Sequence, residues 1–108
     1  MDSEHAKNVL CPLYSLVRRA LLDQGHYKIR SVALWVISWM FEKYSSLLLE
    51  IQQDLQQLIC DLINCLNNDE GRVPSSSCIA LTSIVKAAYI EASLEVIFFL
   101  KNNCIVIN

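Results

Sequence analysis

The chain has 108 residues, 11 acidic and 9 basic side chains, a formal net charge of −2 and 54% hydrophobic residues. That apolar content with so small a net charge excludes disorder over most of the length. Two glycines and two prolines are too few for the many tight turns of a β-sandwich or barrel, which leaves one all-α domain over residues 1–108.

Leu10, Leu13, Leu16, Val17, Ala20 and Leu21 recur at i, i+3, i+4 and i+7, predicting a first helix with one apolar face. Pro12 suits its first turn, where a missing N–H costs nothing. Asp23-Gln24-Gly25-His26 ends it, with Gly25 fitted to a positive φ. Ile29, Val32, Ala33, Val36, Ile37, Met40 and Phe41 form a cleaner second stripe, but Leu34, Trp35 and Trp39 add apolar surface on its other side. A helix apolar nearly all round expects neighbours on more than one side.

A third helix is predicted from Ser45 or Ser46, plausible N-caps, unbroken to Leu66. Leu48, Ile51, Leu55, Leu58, Ile59, Leu62 and Leu66 carry its face, and Glu50, Gln52, Gln53, Asp54, Gln56 and Gln57 its wet side. Leu48, Ile51, Leu55, Leu58, Leu62 and Cys65 also read as a short heptad seam. After the loop Asn67-Asn68-Asp69-Glu70-Gly71, Pro74 and Ser75–Ser77 open a fourth helix through about Tyr89. It is rich in small residues: Ala80, Thr82, Ser83, Ala87 and Ala88. Leu94–Leu100 reads as a short C-terminal helix, because Glu91–Glu95 carries no turn signal. The tail from Asn102 has no helical spacing and is expected to fray or to add to a neighbour as an extended segment.

The acidic start Met1-Asp2-Ser3-Glu4 is unlike a secretory signal. The longest uncharged stretches, Ser31–Phe41 and Val73–Val85, are too short for a membrane span, and Cys104 does not form a prenylation box. Of five cysteines, Cys60, Cys65 and Cys78 lie inside apolar patterns, where a thiol serves as a small hydrophobe. No cysteine pair has metal spacing and His5 and His26 are far apart, so no metal or cofactor is expected. A reducing compartment, cytoplasm or nucleus, is the expected location.

At an offset of 44, Ile29, Ala33, Val36, Ile37 and Met40 fall opposite Val73, Ser77, Ala80, Leu81 and Ile84. Each segment follows a Leu-rich helix and a short Asp/Asn/Gly loop. A period in the forties with two helices per unit marks a helical solenoid. Ile29-Arg30, Ala33, Val36-Ile37-Ser38 and Met40 resemble the second helix of HEAT and armadillo-type repeats. Val73, Ala80-Leu81-Thr82 and Ile84 are similar to a second copy, with Pro74 in place of the usual Arg and Ser77 in place of the usual Ala. The resemblance implies repeats over 10–44 and 46–90, a partial third unit over 92–101 and a tail over 102–108. It also implies an Asp–Arg ladder, with Arg30 and Asp69 as one rung, and a concave face formed by the second helices.

On that face Lys28, Arg30, Ser31, Trp35, Trp39 and Glu42 are the candidate partner-binding residues. The two tryptophans serve either as anchors for a partner or as filling between stacked helices. Arg18, Arg19, Lys28 and Arg30 are the one basic cluster, too small in an acidic chain to make nucleic acid the main partner. A local Arg19–Asp23 pair is the simpler use of that cluster. Ser75–Ser77 suit helix capping or phosphorylation. Two repeats are fewer than a stable stack usually needs, so Phe98 and Phe99 are candidates for end-to-end association, with another copy or with the rest of a longer solenoid. The function expected is a non-enzymatic protein–protein interaction or scaffold module. The alternatives are a bundle resembling the death-fold adaptors, or a small helical carrier or enzyme built around Cys60, Cys65 or Tyr14.

Overall fold

The computed structural model describes residues 3–51, 54–67 and 70–102; for residues 3, 51, 95–97 and 99–101 it describes the backbone alone. The described elements are all helices: α1 (Ser3–Leu21), α2 (Tyr27–Lys43), α3 (Ser45–Ile51), α4 (Leu55–Leu66) and α5 (Val73–Asn102). No strand occurs among the described residues.

α1 begins at Ser3, well upstream of Leu10, because Ala6 is buried and extends the apolar face backwards. Pro12 therefore lies in the helix interior and not in its first turn, where it removes one backbone hydrogen bond. Leu16 departs from the predicted stripe and is 57% exposed, while Val17 and Leu21 are buried. Gly25 does not take a positive φ. Its N–H donates to Asp23 Oδ1 at 3.1 Å, closing an Asx turn. The positive φ (54°) belongs to Gly71, where a Cβ would lie 2.7 Å from Tyr27 Cε2. That close approach is open to glycine and no other residue.

α2 is rotated relative to the predicted stripe. Its buried side is Arg30, Ala33, Leu34, Ile37, Ser38, Met40 and Phe41, whereas Ile29 and Val32 are exposed. With apolar residues nearly all round, periodicity alone could not pick the buried side; packing against α1 and α5 does. Along α5 four of the buried residues are small, Ser77, Ala80, Ser83 and Ala87, beside the larger Val73 and Ile84, which lets the helices pack closely. Ser83 Oγ returns to Ile79 O at 3.1 Å and Ser77 Oγ donates to Leu62 O, so their hydroxyls are satisfied inside the core. Ser77 is thereby withdrawn from phosphorylation. Ser75 Oγ donates to Arg72 O at 3.2 Å in the opening turn.

The predicted third helix is two helices. Asp54 is not helical and its Oδ1 accepts from Gln57 N–H at 3.0 Å, capping α4; that interruption removes any continuous heptad seam. Leu48, Leu58 and Leu62 carry the buried face as expected, and Leu66 lies outside it. Conversely, the predicted fourth helix and the short C-terminal helix are one 30-residue helix, α5, roughly 45 Å long. Residues 92–101 continue this helix, since nothing in Glu91–Glu95 breaks the backbone pattern. Within α5, Val73–Leu94 is long and apolar enough to cross a membrane by length and composition, with mean hydropathy 1.3 and 28% of it buried. The shorter sequence estimate stopped at Lys86; the longer stretch carries two charges, Lys86 and Glu91. The tail over 103–108 lies outside the described residues.

α2 packs along α5, α1 along α2, and α4 along α5, with α3 joining α2, α1 and α5. Arg18 Nη1 reaches Asp61 Oδ2 at 2.7 Å and Lys7 Nζ reaches Glu50 Oε1 at 2.6 Å, tying α1 to α4 and α3.

Candidate functional site

An open groove of about 380 Å³ runs between α1 and α2, lined by Leu16, Val17, Ala20, Lys28, Ile29, Val32, Ala33 and Val36. Lys28 is the one charged residue in it. Val32 is 62% exposed and Trp35, one turn on, is 67% exposed. This groove escaped sequence reasoning because Ile29 and Val32 looked like core positions. The signal that was available is the all-round apolarity of α2, which exceeds what α1 and α5 can cover.

Of the candidate partner-binding residues, Lys28, Trp35, Trp39 and Glu42 are exposed and Ser31 is half-buried. Trp39 is fixed edge-on against Tyr44, with ring centroids 5.8 Å apart at 70°, a favourable aromatic geometry. Arg30 does not share that surface. It is 2% exposed, and its Nη1 donates to Asp23 O at 2.5 Å, closing the α1–α2 loop. Its Nη2 lies 3.6 Å from Glu70 Oε1; Asp69, the expected partner, lies outside the described residues. At the far end Phe98 is 69% exposed, and the side chain of Phe99 is not described.

Asp23 is engaged by His26, whose Nδ1 lies 3.0 Å from its carboxylate, and by the Gly25 N–H. These two contacts, His26 first, hold the Asp23 carboxyl below the ordinary carboxylate range. The partner expected from spacing, Arg19, is not the one used. Among the described residues no group of three or more His, Cys, Asp or Glu side chains is placed to hold a metal.

Cys60 is exposed, and Tyr14 is half-buried, with burial pushing its phenol up and Arg18 opposing. Cys65 is buried beside a cavity of about 110 Å³ that Leu21, Leu22, Gln24, Arg30, Asp61 and Asn64 also line. Burial pushes the Cys65 thiol up, Arg30 pulls it down, and Asp61 raises it again. Cys60 and Cys78 are exposed, not the small core residues their pattern suggested. Since the thiolate is the reactive form, alkylation near pH 8 followed by mass spectrometry is expected to label Cys11, Cys60 and Cys78 well ahead of Cys65. Equal labelling rates would mean that the α4 terminus opens freely.

Comparison with protein-family models, with curated proteins and with solved structures gave no match to this chain.

Proposed function

We propose that the chain is a non-enzymatic protein–protein interaction module of the cytoplasm or nucleus, built as two stacked helix pairs of HEAT or armadillo type. The α1–α2 groove, with the exposed Trp35 on the same helix as Val32, is the observation that carries this reading. A nearly uncharged cleft between two helices suits the apolar face of a third helix, in the helix-in-groove manner. The same α2 already receives α5 along its length.

The repeat assignment draws support from one offset. Both α1 ion pairs, Lys7–Glu50 and Arg18–Asp61, join residues 43 apart. At the same offset Arg30, Leu34, Ile37 and Phe41 fall opposite Val73, Ser77, Ala80 and Ile84, all eight buried. This shared burial, one residue away from the 44-residue register read from sequence, in which exposed Ile29 falls opposite buried Val73, supports the reading.

A photo-crosslinker at position 35 tests the groove. The reading expects adducts that map to an apolar helical stripe in a protein partner. Leu16→Glu or Val32→Glu should weaken them at least about tenfold, the loss expected when a charge enters an apolar contact. Ile79→Glu, 57% exposed on α5, should leave them unchanged. Adducts indifferent to both groove substitutions would refute the assignment.

A further inference from the structure

We propose that the outward side of α5 is a dimerisation surface, on which a second copy of this chain packs with its own α5 running antiparallel. Ser75, Cys78, Thr82, Val85, Tyr89 and Ala92 are all exposed, Val85 at 65% and Tyr89 at 73%. They alternate three and four apart and none is charged, which is the pattern of a coiled-coil seam. Ala80, Ile84 and Ala87, which α5 buries within the chain, fall on the opposite side of the helix. α5 is apolar nearly all round, yet 28% of Val73–Leu94 is buried. Such a helix expects a neighbour on this second side as well.

The seam is prepared for burial. Thr82 Oγ1 donates to Cys78 O at 2.9 Å and Ser75 Oγ donates to Arg72 O at 3.2 Å. A hydroxyl already satisfied within its own helix enters an interface without the usual desolvation penalty. Tyr89 can bury its ring and leave its hydroxyl at the wet edge.

The occupant follows from the symmetry of the seam. Its spacing reads the same in both directions, as a two-fold contact of one surface with itself requires. With the axis between Thr82 and Val85, Val85 meets the partner's Thr82, Tyr89 meets the partner's Cys78, and Ala92 meets the partner's Ser75. The large rings therefore fall against small side chains, whereas a parallel pair would set tyrosine on tyrosine. Opposed helix dipoles also favour the antiparallel arrangement. Lys86, the exposed charge beside the seam, comes level with the partner's Ile79, whose apolar surface suits a methylene stem. From Ser75 to Ala92 the seam runs about 25 Å, and Tyr89 alone brings on the order of 150 Å². Both copies together then bury on the order of 1,000 Å², the lower end for a specific interface. Because α5 is already held by α2 and α4, pairing costs no helix ordering, and a reversible dimer in the micromolar range is expected. This surface is independent of the α1–α2 groove.

Sedimentation equilibrium of the full, reduced chain from micromolar to millimolar concentration tests the proposal. The mass is expected to rise from one copy to two. Val85→Glu, an exposed change whose unaltered fold circular dichroism can verify, sets two carboxylates beside the axis and should raise the dissociation constant at least about tenfold. Leu16→Glu, in the groove, should leave association unchanged, which separates this proposal from the groove reading. After mild oxidation of Tyr89→Cys, mass spectrometry should find Cys78 linked to the introduced thiol of the other copy. A Cys78–Cys78 link as the main product would mean parallel pairing and overturn the arrangement. A dimer indifferent to Val85→Glu, or a chain that stays monomeric throughout, would overturn the proposal. A monomer that floats with phosphatidylcholine vesicles would do so in favour of a lipid surface.

Discussion

Phe41→Ala is expected to lower the unfolding free energy by about 3–5 kcal/mol, the range for deleting a buried aromatic ring. Phe41 is 1% exposed and meets α5 where Ser83 and Ala87 stand opposite. Those residues are too short to follow the ring inwards, so the space it leaves stays open and the cavity cost is near its full value. Urea denaturation read by circular dichroism measures the effect, as a lower midpoint at unchanged slope. A loss below about 1 kcal/mol, typical of surface change, would mean that α2 does not lie on α5 through this ring.

The second large effect concerns the two ion pairs of α1, which look alike in sequence offset and differ in surroundings. Arg18→Met is expected to cost about 1.5–3 kcal/mol, the worth of a hydrogen bond to a charged group in a dry setting. It leaves Asp61, 8% exposed, with the Gln57 amide as its remaining partner among the described residues. Lys7→Met breaks a contact of nearly the same length, but Glu50 is 61% exposed and simply returns to water. Exposed pairs contribute little, so Lys7→Met should leave the denaturation midpoint nearly where it was. Equal losses from the two variants would contradict the burial difference between them.

Helix content was legible because apolar spacing is local, and Leu48, Leu58 and Leu62 point inward as their period requires. Boundaries were not. Asp54 carries a recognisable cap signal three residues before Gln57, yet it sits in a polar run that also reads as a wet helix face. Pro12 reads as a start because proline is easiest there; only the buried Ala6 upstream shows the helix already running. On α2 the pattern held too many apolar residues to choose a side, and the choice came from α5, more than thirty residues further along the chain. That one rotation exposed Ile29 and Val32 and buried Arg30. An arginine in a sequence reads as solvated, and nothing local announces that the carbonyl of Asp23 will draw its guanidinium inside. The candidate surface was therefore half visible: Trp35 and Lys28 lie on it, whereas the groove beside them depends on long-range packing.

The continuity of α5 has a mechanical consequence. A single rod that braces α2, α3 and α4 couples their unfolding, so these parts should melt together and not peel off one by one. α1 leans mainly on α2 and α3 and is already weakened at its centre by Pro12. Amide exchange should therefore start in α1 and reach the Val73–Ala87 stretch last, making the first helix the detachable shutter of an otherwise unitary frame.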